Sequence, residues 1–235
     1  MTTIARHSAV VRATHWVNVL CLTLLVMSGM QIFNAHHALY LGIQSDFAHP
    51  LFTLPGGFPS WLTMPGYQDL GAGRQWHFFF AWLFLLNGLL YLAARLIGRH
   101  VRRDLLPRLA ELRTLPHEIA EHARLRFPRG EAARRCNALQ KLTYVVVLFV
   151  LLPLMLLTGL SMSPGVDAAF HWLPAVFGGR QTARTIHFVS ASLIVLFTIV
   201  HLAMVVLSGF FNNMRSMITG RYVLPPEQRV EERVS

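Results

Sequence analysis

Apolar residues in this chain gather in four long blocks instead of alternating with polar ones, roughly 16–33, 76–97, 142–161 and 186–211. Each block is near the ~20 residues that a helix needs to cross a bilayer. The pattern predicts an all-α integral membrane protein, a four-helix bundle with one interior and no soluble module. The first connection, 34–75, carries Pro and Gly that forbid a long helix. It also carries Phe47, Phe52, Phe58, Trp61 and Tyr67, too many aromatics for a loose linker. A folded cap is expected there, with His36, His37 and His49 as solvated loop histidines. The basic N-terminus followed by an apolar run reads as an uncleaved first helix. Pro153 predicts a kink in the third helix.

Charge sets the orientation. The chain carries a net +10. Most of its arginines lie between the second and third blocks, before the first and after the fourth. The other two connections hold only Arg74, Arg180 and Arg184. This asymmetry predicts both termini in the cytoplasm, a long periplasmic loop between helices 1 and 2, and a basic cytoplasmic loop between helices 2 and 3. It also argues against nucleic acid as the partner of the positive charge. Residues 1–222 form the expected transmembrane domain and 223–235 a polar cytoplasmic tail. Cys21 and Cys136 fall at different depths, so no disulfide is expected. In the basic loop, Leu105, Leu109, Leu112, Ile119 and Leu125 among charges suit short amphipathic helices on the inner leaflet.

Histidines change the picture. His187 and His201 both sit on the fourth apolar block, 14 residues apart. In a helix that spacing returns to within about 40° of the same face, ~21 Å further along. Ionisable side chains inside a membrane are rare and usually functional. His15 opens the first block and His77 the second. With the N-terminus inside, His15 and His201 share the inner level, and His77 and His187 the outer one. Two pairs of imidazoles facing across a helix bundle suit two six-coordinate haem irons. Gly29 follows His15 by 14 residues and Gly88 follows His77 by 11. Each glycine thus lies on its histidine's face at the other level, where a flat ring needs room. Arg74 and Arg184, each three residues before a proposed ligand, are candidates for pairing with haem propionates.

Other chemistries fit less well. Zinc wants a tetrahedral cluster at one depth. A proton-driven transporter uses membrane acids, and the spanning blocks carry none. No CxxCH attachment site is present, so the haem should be b-type and non-covalent.

The THW at 14–16, the WH at 76–77 and the two histidines of the last block resemble the four-helix prokaryotic b-type cytochromes. That group includes the cytochrome b561 proteins and the cytochrome b subunits of nickel–iron hydrogenases and formate dehydrogenases. The resemblance covers residues 5–222 and implies two haem b groups, the inner on His15 and His201, the outer on His77 and His187. NALQK at 137–141 resembles the family's entrance to helix three, which implies a quinone contact at Asn137. The resemblance further implies a bacterial inner-membrane, multi-pass electron carrier linking a periplasmic oxidoreductase to quinone. The long cap resembles members that serve molybdopterin-dependent partners. Two alternatives stay open. One is a stand-alone oxidoreductase exchanging electrons between quinone and a small periplasmic species such as superoxide. The other is a haem-free anchor with interfacial histidines.

Overall fold

The computed structural model describes residues 3–97, 116, 118, 120 and 138–223. Among these, four helices are long and apolar enough to cross a membrane. They are α1 (Ala9–Ala35), α2 (Leu70–Ile97), a third span built from α3 (Ala138–Val146) and α4 (Leu152–Ser161), and α7 (Arg180–Leu207). Short helices α5 (Pro164–Ala169) and α6 (Leu173–Val176) link the third and fourth spans. An added helix, α8 (Phe210–Thr219), follows the last span. The described residues also hold four short strands: β1 (Thr3–Ala5), β2 (Ala38–Leu39), β3 (Phe52–Thr53) and β4 (Arg221–Val223). The amphipathic helices expected in the basic loop, and Cys136, lie outside the described residues.

The distribution of side chains inverts that of a water-soluble domain. Phe79, Trp82, Leu86, Leu89 and Leu90 on α2 are exposed, as are Leu196, Ile199 and Leu202 on α7. The largest fully buried side chains are instead mostly polar: Gln31, Asn34, Thr158, Ser28 and Ser161. Lipid solvates the apolar surface, so burial is left to groups that need hydrogen-bond partners. Asn87 on α2 donates to Asn18 on α1 at 2.7 Å, a polar bond between two apolar spans.

Helices begin earlier than the apolar blocks. Ser8 precedes α1, and its Oγ accepts from the Val11 N–H at 3.4 Å. Asp69 precedes α2, with its Oδ1 accepting from Ala72 N–H at 3.0 Å. Such residues satisfy donors that a helix start leaves free. His15, His77 and His187 therefore lie about two turns inside their helices. The third span is interrupted by a π-helical stretch, Val147–Leu151. Pro153 just beyond it has no N–H to donate and its ring crowds the preceding turn, which the wider stretch accommodates.

Two compact units divide the chain. The unit formed by 17–88 and 149–198 contains the cap. There β2 and β3 pair antiparallel, with Ala38 opposite Thr53 and Leu39 opposite Phe52. Two buried amides from α1 hold the loop. Gln31 donates to the Asp69 carbonyl and accepts from Gly66 N–H, both at 2.6 Å. Asn34 accepts from Phe58 N–H at 2.6 Å and donates to the Phe58 carbonyl at 2.9 Å. Gly57 has φ of +66°, and a Cβ there would collide with Asn34 Oδ1, so only glycine suits the position. The start of α7 is also met by the cap. The Gly42 carbonyl accepts from the Gln181 N–H at 3.0 Å, and Thr185 Oγ1 donates to the Tyr40 carbonyl at 2.7 Å.

The other unit, 1–16, 89–148 and 199–235, gathers the chain's two ends. Strands β1 and β4 pair antiparallel, with Thr3 opposite Val223. Asn212 accepts from Val223 N–H at 3.0 Å and donates to its carbonyl at 2.8 Å. Gly209 and Gly220 flank α8 with φ of +111° and +80°, the left-handed turns that glycine takes at no steric cost. The sequence reading placed the polar tail at 223–235. Ahead of it, the structure forms a helix and a strand over 210–223, with β4 paired to the edge of β1. Residues 224–235 lie outside the described set.

Candidate functional site

Each unit contains one pair of facing histidines. In the cap-bearing unit, His77 of α2 and His187 of α7 have ring centroids 6.2 Å apart with planes 62° from parallel. In the other unit, His15 of α1 and His201 of α7 have centroids 6.4 Å apart at 59°. Two imidazoles bound on opposite sides of one metal ion need a particular separation. A metal–nitrogen bond of about 2 Å, plus about 1.1 Å from nitrogen to ring centre, on each side, gives about 6.2 Å between centres. Both pairs lie at that spacing.

Among the described residues, no group of three or more His, Cys, Asp or Glu comes together. A bare cation held by protein donors wants four such ligands. A porphyrin brings four nitrogens of its own and asks the protein for two. A pair of imidazoles is therefore a fitting donor set for haem iron.

The surroundings of the His77–His187 pair fit the same group. Ser28 Oγ lies 3.1 Å from His77 Nδ1, and Thr158 Oγ1 lies 3.0 Å from His187 Nδ1. Both hydroxyls give their single proton elsewhere. Ser28 donates to the Leu24 carbonyl and Thr158 to the Leu154 carbonyl, each at 2.6 Å. Each hydroxyl is then placed to accept from its imidazole, alongside the backbone carbonyls of Leu25 for His77 and Met155 for His187; that tautomer carries the ring proton on Nδ1 and leaves the Nε2 lone pair for a ligand. A Cβ added at Gly29 would sit 3.5 Å from His77 Cε1, and one at Gly159 would sit 3.3 Å from His187 Cε1. Any larger side chain at Gly159 would displace the ring.

Around the His15–His201 pair the supports are different. Trp16 stands edge-on to His15 with centroids 5.6 Å apart. Its Nε1–H donates to the Met217 carbonyl of α8 at 3.1 Å. Arg12, one turn before His15, donates to the Ile218 carbonyl. Arg6 lies over the Tyr222 ring at 4.6 Å. His7, ahead of α1, is held below the usual histidine range, first by burial and then by Arg6.

The remaining sequence candidates fall as follows. Gly29 faces His77, as just described. Gly88 has no atom within 4 Å of where a Cβ would stand, so it borders open space. Arg74 lies over the Phe78 ring at 5.7 Å. Arg184 donates to the carbonyls of Ala38 and His36, so it anchors the cap directly above His187 on the same helix. Asn137 lies outside the described residues. Sequence reasoning missed Ser28, Thr158 and Gly159. The signal was present as a repeated dipeptide, Ser28-Gly29 and Thr158-Gly159, on the first and third spans. It also took His36 for a solvated loop residue. The structure stacks its ring on Tyr40, with centroids 5.5 Å apart, and buries Nε2 without a hydrogen-bond partner. Burial, then the Arg184 charge, holds His36 below the ordinary histidine range.

Comparison with known proteins adds independent weight. Residues 6–220 match the family model described as prokaryotic cytochrome b561. The chain is 30% identical over 203 residues to the "putative protein-methionine-sulfoxide reductase subunit YedZ1" of Azospira oryzae, covering 86% of this chain and 91% of that one. No solved structure matches it significantly.

Proposed function

The chain belongs to the prokaryotic cytochrome b561 family, a multi-pass bacterial membrane protein with a haem-b electron-transfer role, and from that premise we propose that it holds two haem b groups and links a periplasmic oxidoreductase to the membrane quinone pool. His77 and His187 are the ligands of one haem, and His15 and His201 of the other. The observation that carries this reading is the spacing of both imidazole pairs, 6.2 and 6.4 Å between centroids. When bound, haem supplies a one-electron carrier whose potential the protein tunes.

The chain's own residues provide placement. α7 bears one ligand of each pair, His187 and His201. Ser28 and Thr158 hold the outer imidazoles by Nδ1. The inner pair lies beside the clasp of β1, β4 and α8. The membrane is the bacterial inner membrane with both termini cytoplasmic, since the basic residues cluster on that side. Asn137 is the proposed quinone contact, and Arg74 and Arg184 the propionate partners at the outer level. Arg184 would serve with whatever donor capacity its two cap carbonyls leave. The Azospira oryzae relative, a putative protein-methionine-sulfoxide reductase subunit, supports a reductase as the partner. Electrons then run from quinol outward. The stand-alone alternative predicts turnover with a small oxidant and no partner.

Haem stoichiometry of the purified protein tests the reading. Two haems per chain with bis-imidazole b-type bands on reduction are expected. Bands that survive unchanged in His187→Ala would sink the ligand assignment. Co-purification of a periplasmic subunit separates the partnered reading from the stand-alone one.

A further inference from the structure

The two outer histidines are supported in the same way by different spans. On α1, Ser28 Oγ lies 3.1 Å from His77 Nδ1, beside the Leu25 carbonyl that also bonds this ring, and Gly29 lies against the ring's Cε1. On α4, Thr158 Oγ1 lies 3.0 Å from His187 Nδ1, beside the Met155 carbonyl that also bonds this ring, and Gly159 lies against its Cε1. Both hydroxyl residues are fully buried. Both direct their own proton to the carbonyl four residues back. A hydroxyl–glycine dipeptide on one span thus clamps a histidine on the next span, twice over: first span to second, third to fourth. Ordinary small-residue packing has no need for the hydroxyl of each dipeptide to meet a ring nitrogen.

We propose that Ser28 and Thr158 are paired positioning residues that set the tautomer, ring orientation and donor strength of the two outer haem ligands, with Gly29 and Gly159 as the seats on which the rings rest. The inference deepens the functional reading above and rests on its assignment of His77 and His187. A histidine whose distal N–H is held by an acceptor is a more basic ligand. A more basic ligand favours ferric over ferrous iron, so the clamps hold the outer haem's potential down. The two contributions would reach the same haem, one through each histidine, and should add.

The test uses the full-length haem-loaded protein, wild type against Ser28→Ala, Thr158→Val, Thr158→Ser and the double variant Ser28→Ala/Thr158→Val. Haem content and a potentiometric titration of the visible bands are the readouts. The wild type should show two components. Ser28→Ala and Thr158→Val should each raise one component, changing its reduced-to-oxidised ratio at a fixed poise several-fold, up to about tenfold, which for one electron is about 59 mV. The double variant should raise it further. The other component stays in place, and Thr158→Ser behaves as wild type. Two retained haems with neither potential moved would overturn the proposal. So would a Thr158→Ser shift as large as that of Thr158→Val, since the effect would then be one of shape. Should Thr158→Val lose a haem, retention in Thr158→Ser at the wild-type potential supports the clamp, and loss in both overturns it. Failure of the underlying assignment reads differently: one haem per wild-type chain, or both components intact in His77→Ala.

Discussion

The two histidine pairs have nearly the same centroid separation and tilt, yet they are built by different means. His77 and His187 are held from within the spans, by buried hydroxyls one helix away and by glycines that let the rings lie close. The support around His15 comes from the chain's ends, where Trp16 and Arg12 reach carbonyls of α8 and β1 pairs with β4. The difference teaches that one spacing of paired imidazoles can be reached by local contacts or by a tertiary clasp. Local contacts depend on single atoms and respond to small substitutions. A clasp spreads its support over several weak bonds and should yield gradually.

The largest expected effect tests whether the pairs are independent. His77→Ala should remove about half of the haem absorbance and leave the component of the other pair, while His15→Ala should do the reverse. Haem content and redox titration of the two variants check this. Loss of both haems in either would break the comparison. Next in size is Gly159→Leu. Its Cβ starts 3.3 Å from His187 Cε1, so on the proposed reading the larger side chain should cost the His77–His187 pair its haem alone, seen as one lost component. Gly159→Ala should perturb that component more than Gly29→Ala, because the latter's Cβ meets His77 Cε1 at an ordinary 3.5 Å.

The clasp should answer more softly. Trp16→Phe keeps an edge-on aromatic beside His15 but removes the bond to Met217, worth about 0.5–1.5 kcal/mol. Faster limited proteolysis within α8, with the His77–His187 component unmoved, is the expected outcome.

The smallest effect concerns pH and the cap. His36 has its pKa lowered in the folded protein by burial and by Arg184, so the folded state prefers it neutral. Above the ordinary value of about 6.5 both states are neutral and the group is silent. As pH falls through that value the unfolded state takes the proton first, and the cap loses stability until pH passes the lowered folded value. Protection of the 36–40 amides, taken relative to their intrinsic exchange rates, should therefore fall below about pH 6.5, and His36→Gln should flatten the trend.

Much of the architecture was legible because lipid imposes it. A span must be apolar and about 20 residues long, so four blocks meant four helices. An imidazole is costly in that setting, so four histidines stood out, and helical arithmetic alone put His187 and His201 on one face. Helix starts were less legible. Apolarity marks where lipid lies, whereas Ser8 and Asp69 decide where hydrogen bonding begins. That is why α2 opens at Leu70, ahead of its apolar block.

What the sequence by itself determined is the class, the number of spans and the histidines to be explained, since each follows from one-dimensional length, period or desolvation cost. What only the tertiary structure decided is which atoms meet across spans. The Nδ1 contacts of Ser28 and Thr158 join residues 49 and 29 apart, and no local period encodes such a distance. The same holds for the cap amides Gln31 and Asn34 and for the strand pairing of 3–5 with 221–223. A buried hydroxyl states only that it needs a partner; the packing of the helices chooses the imidazole that becomes it.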